Sequence, residues 1–402
     1  MDVFRRGWQS DFLIGLLIYI VTTIPVAIGV GIARHPDFAG YILDPGHTIL
    51  EMCCRYDGDH FTRIVERGYH YDPERASSVA FFPGYPLLAR ILAALSGCSA
   101  HVALLVTANA SMLAALIITA AYLRTKAEPR LTTLWVIGLW PVGFCFRLAY
   151  SDSLFLAAVA LLMLGWARRW PLWVVALVAG ASTGIRAVGV AASAAVLLSV
   201  VLDRTRGPLK QRLITALAVG PLTCWGLLAY MTFQLIEFNT PFAFAQTQQH
   251  WSAYHPEHAG PMYKMLRLAI GEPIWDSYVP GSMRHWTYVG GNGNPLHGTA
   301  FWNSILFVLA AILVAIGWRR RRLSREETVL AFGLLLIPYV SRADEQSMIS
   351  HARFAAVVLP AFLVLGRMLA DASLLVRCIA LALFATFMTM WTALFVSGWP
   401  LL

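Results

Sequence analysis

Apolar residues in this chain come in long runs, broken by short charged or turn-rich intervals. Stretches of about 17–25 apolar residues, the length a helix needs to cross a bilayer, recur along nearly the whole sequence. Read as helices, the runs fall near residues 12–33, 100–123, 131–147, 152–167, 171–184, 187–203, 211–236, 299–318, 327–341, 353–370 and 375–397. The pattern predicts an all-α polytopic membrane protein with about eleven spans.

Composition agrees. The chain is 58% hydrophobic and 13% charged over 402 residues, whereas a soluble domain is about half apolar and a quarter charged. The run from Phe12 to Ala33 follows Arg5 and Arg6, is too long for a signal-peptide core and precedes no small-residue cleavage pattern, so it is expected to stay as an anchor. With no internal repeat or low-complexity segment, residues 1–402 read as a single membrane domain.

The net charge of +9 does not point to nucleic acid, because the arginines sit between the apolar runs. They mark topology. Basic clusters at Arg5/Arg6, Arg124/Lys126/Arg130, Arg168/Arg169, Arg204/Arg206/Lys210/Arg212, Arg319 to Arg322 with Arg325, and Arg367/Arg377 alternate with the spans as cytoplasmic loops do. The alternation requires that Phe82 to Gly97 not cross the bilayer. That run is short and opens with Pro83 and Pro86, which suit a first helical turn, so it is expected to lie in the interface. The N-terminus is then cytoplasmic, and two long loops, residues 34–99 and 237–298, share the outer face.

Six cysteines are scattered without the spacing of a zinc site. Cys53 or Cys54 paired with Cys98 is one disulfide this topology permits.

The stretch from Cys54 to Arg90 is the region densest in charged, aromatic and turn residues together. Ionisable groups at a membrane face are costly and therefore functional candidates. The outer face collects Asp57, Asp59, His60, Arg63, Glu66, Asp152, Arg186, Arg342, Asp344, His351 and Arg353. Asp57 is either the N-cap of the helix running to Glu66 or a general base, and the two roles are compatible. Asp59 forms a D-x-D with Asp57, too little to assign a metal. His60 reads first as an interfacial histidine. Asp152 is a helix cap or a site carboxylate. Arg186, between two short apolar runs, either snorkels to the interface or binds an anion. Arg342, His351 and Arg353 are interfacial anchors or a converging cationic group.

Together these residues resemble the PIG-V family of mannosyltransferases. The family's W-D pair, aromatic, I-A and G-Y are similar to Tyr56-Asp57, Phe61, Ile64-Val65 and Gly68-Tyr69, and its F-F-P to Phe81-Phe82-Pro83. Its Y-[ST]-E-S-L-F resembles Tyr150-Ser151-Asp152-Ser153-Leu154-Phe155, and its T-R-x-x-G resembles Ile185-Arg186-Ala187-Val188-Gly189. A bacterial P-x-A-F-x-x-x-Q-x-x-W is similar to Pro241, Ala243, Phe244, Gln248 and Trp251, and a late R-[YF] before a proline-ended span to Arg353-Phe354 and Pro360. The matches run in order from about Arg55 to Pro360. Tyr56 replaces the usual Trp and Asp152 the usual Glu.

The resemblance implies a GT-C-like architecture and metal-independent, inverting transfer of a sugar, with mannose expected, at the outer face without a cofactor. It implies a polyprenyl-phosphate sugar donor, a lipid or glycan acceptor, and integration in a membrane, the cytoplasmic membrane if the source is bacterial. Asp57 is then the catalytic base. Asp59, His60, Asp152, Arg186, Gln248, Trp251, Arg342, His351 and Arg353 are expected to contact substrates, and Tyr69, Tyr71 and Tyr254 to stack on sugars or serve as interfacial belt. Two other classes remain: a lipid or glycan transporter or flippase, and a non-catalytic subunit of a glycosylation complex.

Overall fold

The computed structural model describes residues 2–33, 48–251, 260–288, 293–296, 298–346 and 348–399. Part of the first long loop, residues 34–47, and Tyr254 in the second lie outside them. The described residues form α-helices and short 3-10 turns, with no strand among them.

The chain begins with α1 (Asp2–Ala33), followed by α2 (Ile49–Cys53), α3 (Asp57–Arg67) and α4 (Gly84–Ser96). Next come α5 (Ala100–Thr125), α6 (Arg130–Gly138), α7 (Asp152–Ala167), α8 (Leu172–Ile185) and α9 (Val190–Leu202). The bundle continues through α10 (Leu209–Thr223) and α11 (Trp225–Phe238), then the short α12 (Ala243–Gln246), α13 (Pro261–Ala269) and α14 (Glu272–Asp276). It closes with α15 (Thr299–Arg319), α16 (Arg325–Gln346), α17 (His351–Ala356), α18 (Leu359–Asp371) and α19 (Leu374–Val396).

Four of these helices are long and apolar enough to cross a membrane, within α1, α5, α15 and α19, and α10 with α11 makes a fifth if that bent pair is one span. Their outward faces carry bare apolar side chains such as Leu13, Leu17, Ile20, Ile24, Leu374 and Ile379. A surface this apolar belongs in lipid. This is an integral membrane protein.

Several expected spans are broken, and proline explains most of the breaks. The run 131–147 is α6 followed by a 3-10 turn over Pro141–Phe146, and Pro141 has no N–H to continue the helix. The run 353–370 splits into α17 and α18 at Val357–Val358, and Pro360, in the first turn of α18, has no N–H to carry the helix across. The run 211–236 bends by 54° beyond Pro221. There Gly226 lies against the backbone of Gly180 and Gly184 in α8, and a Cβ on Gly226 stands 2.5 Å from the Gly184 nitrogen. By contrast α7 runs unbroken over the expected residues.

α4, the expected interfacial helix, has 13 residues. At about 1.5 Å per residue it is far shorter than a ~30 Å bilayer core. It buries Tyr85, Pro86 and Ala89 and bares Leu87, Leu88, Ile91 and Leu95. Cys53, Cys54 and Cys98 are free thiols in this structure.

The end of the bundle remote from α3 and α4 is tied by charge. Asp11 of α1 is fully buried, and its carboxylate accepts from Arg124 Nε at 2.9 Å and Arg130 Nη1 at 3.2 Å. Tyr122 of α5 donates to Glu327 of α16 at 2.5 Å.

Candidate active site

The breaks gather chemistry at one end of the bundle: the start of α3, the connector into α7, the α8–α9 junction, the end of α16 and the whole of α17.

α3 starts abruptly. Tyr56 stands before it at φ 58° and ψ −115°, a backbone conformation that costs a non-glycine residue about 1–3 kcal/mol. Two contacts hold it there: its hydroxyl donates to the Gly398 carbonyl at 2.8 Å, and its ring lies 5.3 Å from Phe395. Asp57 is therefore the first residue of α3 rather than its cap, and the N-cap, Tyr56, offers no side-chain bond. The Asp57 carboxylate turns instead to α17, where Arg353 Nη1 donates to Oδ2 at 2.7 Å. The carboxylate side keeps 33% of its surface exposed and the arginine 9%.

A second pair lies behind the first. Asp152 opens α7 next to its N-cap, Ser151, and is fully buried, facing Arg186 Nη1 at 2.5 Å. Arg186 occupies an extended residue between α8 and the 3-10 turn Ala187–Gly189. The two arginines flank one ring: Phe354 lies 5.6 Å from the guanidinium carbon of Arg186 and 5.6 Å from that of Arg353. Tyr150 takes the other side of Arg353 at 5.0 Å. Gly84 makes this junction close-packed, since a Cβ there stands 3.0 Å from the Gly184 carbonyl and 2.9 Å from the Ile185 side chain.

Arg342, near the end of α16, is the third cation. Its Nη2 donates to Gln248, its Nη1 is buried without a hydrogen bond, and the charges of Glu345, Asp57 and Arg353 reach it. Lys264 pairs with Glu345 at 2.5 Å, so the three guanidiniums are set against Asp57 and Asp152 with one positive charge in surplus. A positive surplus in a partly buried cluster favours a nearby anion.

The remaining expected residues divide. His60 stacks on Phe81 at 4.8 Å, and Trp251 meets both rings edge-on at 4.9 and 5.5 Å, so α3, the Phe81-Phe82-Pro83 turn and the 3-10 turn Thr247–Trp251 form one aromatic wall. Burial pushes the His60 imidazole below its usual value despite nearby Asp57 and Asp59. Gln248 holds Arg342 and donates to the Phe244 carbonyl at 2.9 Å. His351 is fully buried, edge-on to Phe307 and Phe354 at 5.4 and 5.5 Å, and so stands beneath the cluster. Asp59 is exposed on the outside of α3. Tyr69 is tied to the Phe81 carbonyl at 3.0 Å, and Tyr71 to Gln246 at 2.7 Å. Among the described residues no three His, Cys, Asp or Glu side chains group as metal ligands do.

Sequence reasoning passed over Arg147. It is buried where α1, α5 and the connector meet: Nη2 donates to Thr22 at 2.8 Å, the Tyr19 ring covers the guanidinium at 4.3 Å, and its carbonyl accepts from Asn109 at 2.8 Å. It anchors the connector that carries Tyr150 and Asp152. Its signal was available, since a lone charge inside an apolar run is a functional or structural marker.

No family model matches the chain, and no curated protein matches it. Solved structures with a similar arrangement include ArnT from Cupriavidus metallidurans bound to undecaprenyl phosphate, at 14% identity and a TM-score of 0.48, covering 98% of this chain and 77% of that one. The oligosaccharyltransferase of Archaeoglobus fulgidus, in a complex with Zn and sulfate, is similar at 14% identity and a TM-score of 0.47 over 94% of this chain and 53% of that one. The chain thus spans about half the length of that oligosaccharyltransferase. Likenesses of this size leave activity and substrates to be argued from the residues.

Proposed function

We propose that this protein is a GT-C-type membrane glycosyltransferase that moves a sugar, mannose by its resemblance to the PIG-V family, from a polyprenyl-phosphate donor to a hydroxyl of a lipid or glycan acceptor. The observation that carries this reading is the cluster itself. A half-exposed carboxylate, Asp57, stands in front of three arginines whose charge it and Asp152 only partly offset. Glycosyl transfer from a lipid phosphate needs this combination: a base facing the acceptor, and fixed cations facing a departing phosphate.

In the proposed reaction the acceptor oxygen attacks the anomeric carbon while Asp57 takes its proton. The bond from that carbon to the phosphate oxygen breaks on the opposite side. The polyprenyl phosphate leaves with the bonding electron pair and is held by Arg353 and Arg342. Arg186 stays with Asp152 and keeps Phe354 and Arg353 in place. His60, Phe81 and Trp251 supply an aromatic wall that suits a sugar face. The polyprenyl tail lies in lipid between helices, and the active end faces the outer side of the membrane.

The test is direct. Purified protein is incubated with labelled polyprenyl-phosphate mannose and an extract of host lipids and glycans, with Asp57→Asn protein as the blank. A labelled product that depends on Asp57 is expected. No product from mannosyl or any other glycosyl polyprenyl phosphate overturns the reading.

A further inference from the structure

At the end of the molecule opposite Asp57, helices α9 and α16 part. Near the start of α9 they touch: a Cβ on Gly333 of α16 stands 2.8 Å from the Ala191 methyl. Toward Leu202 and Arg325 the side chains lengthen and the helices enclose a cavity of about 590 Å³. That lies within the ~300–1,000 Å³ of ordinary small-ligand sites.

About half of the cleft's lining is apolar, with Leu198, Leu202 and Val329, and the polar half includes Arg204, Arg325 and Glu326. Asp203 also borders it, but its carboxylate is already taken by the Thr205 amide at 3.0 Å, the Thr205 hydroxyl at 2.6 Å and Arg206 at 3.0 Å. Among the described residues neither Arg204 nor Arg325 has an ion-pair partner, so two guanidiniums face one uncommitted carboxylate. Leu198 and Leu202 are exposed, and the bare apolar face of α10 (Leu209, Leu213, Ile214) continues from them.

We propose that this cleft binds an anionic glycerophospholipid, in the leaflet opposite the active site. The apolar half takes the upper acyl chain, and the two arginines take the phosphodiester. A soluble anion has no use for the apolar half, and a hydrocarbon has none for the arginines. The surplus of arginine over free carboxylate favours a headgroup with net negative charge over a zwitterionic one. The proposal stands on this cleft alone and does not depend on the catalytic reading.

Native mass spectrometry of the full chain in detergent, titrated with dioleoyl phosphatidylglycerol or dioleoyl phosphatidylcholine, tests it. One molecule of the phosphatidylglycerol is expected to be held at least tenfold more tightly than the phosphatidylcholine. The double variant Arg204→Gln/Arg325→Gln is expected to lose about tenfold in that affinity, the effect of removing charged hydrogen bonds. Arg320→Gln, an exposed change on the same face, is expected to leave it unchanged. Ser199→Trp, which fills the cleft without altering charge, is expected to displace the lipid. The proposal is overturned if the double variant binds as the parent does, if Arg320→Gln weakens binding equally, or if Ser199→Trp has no effect.

Discussion

Asp57 and Arg353 are 296 residues apart in the chain and 2.7 Å apart in space. Each is committed to the other before any substrate arrives. If Arg353 is to hold a lipid phosphate, that phosphate competes with Asp57 for the guanidinium. Asp57→Asn removes the competitor's charge and is expected to bind polyprenyl phosphate more tightly than the parent while losing about 10²–10⁴ in transfer rate. Arg353→Ala is expected to weaken that binding, with only partial rescue by lysine, which lacks the planar fork. Titration of each variant with polyprenyl phosphate and single-turnover transfer assays check both. An Asp57→Asn protein that binds no more tightly means donor and carboxylate do not share the arginine.

Asp152 and Arg186 form the inner pair, and both are shielded from solvent. Asp152→Asn leaves the Arg186 charge without its partner and is expected to cost about 3–5 kcal/mol of stability. Asp152→Glu restores the charge and is expected to cost less, the extra methylene being absorbed by local shifts. Thermal unfolding in detergent ranks the three proteins, and equal midpoints for Asn and parent would refute the pairing.

Tyr56 is pinned in its strained conformation by the bond to Gly398. Tyr56→Phe deletes one hydrogen bond, with an expected loss of about 1 kcal/mol. Because Asp57 follows directly, the turnover rate is expected to fall more than donor affinity does. Measuring kcat and KM for the donor separates the two effects. A fall in affinity alone would place Tyr56 at the donor.

His60 supplies a pH signature. Its folded-state pKa is lowered, chiefly by burial, below the ~6.5 of an exposed imidazole. Below about pH 6.5 the unfolded chain therefore binds a proton that the folded chain resists, and stability falls as pH drops through that window. The parent is expected to lose more thermal stability between pH 8 and pH 5 than His60→Gln does. Parallel pH curves for the two proteins would contradict the assignment.

Orientation is open to labelling. In a background without native cysteines, a membrane-impermeant maleimide applied to intact cells is expected to modify cysteine at position 74, in the first long loop, and to spare position 126. Outside labelling at 126 reverses the map.

Much of the helical layout was legible from the sequence because apolar runs and charge brackets coincide. α7 is one example, bounded by Asp152 and Arg168. The broken segments were not legible. An apolar run looks the same whether its helix continues or stops, and Pro141, Pro221 and Pro360 fall within runs expected to be single spans. Those stops are what deliver Arg353 and Asp152 to a common end. Residue type also said little about depth. Nothing in the residue types shows that His351 is buried among rings or that Gln248 accepts from Arg342. Arg147 escaped notice because it closed an expected span that the structure resolves into a helix, a 3-10 turn and a connector.

Asp11 has a meaning for how the molecule is made. Its partners, Arg124 and Arg130, are 113 and 119 residues further along the chain. The chain must therefore be made through α5 and into α6 before Asp11 can meet the two guanidiniums that hold it in the folded protein. Until then a carboxylate at the edge of the apolar run lacks its native partners. The seating of α1 in the bundle is thus completed by residues made more than a hundred positions later.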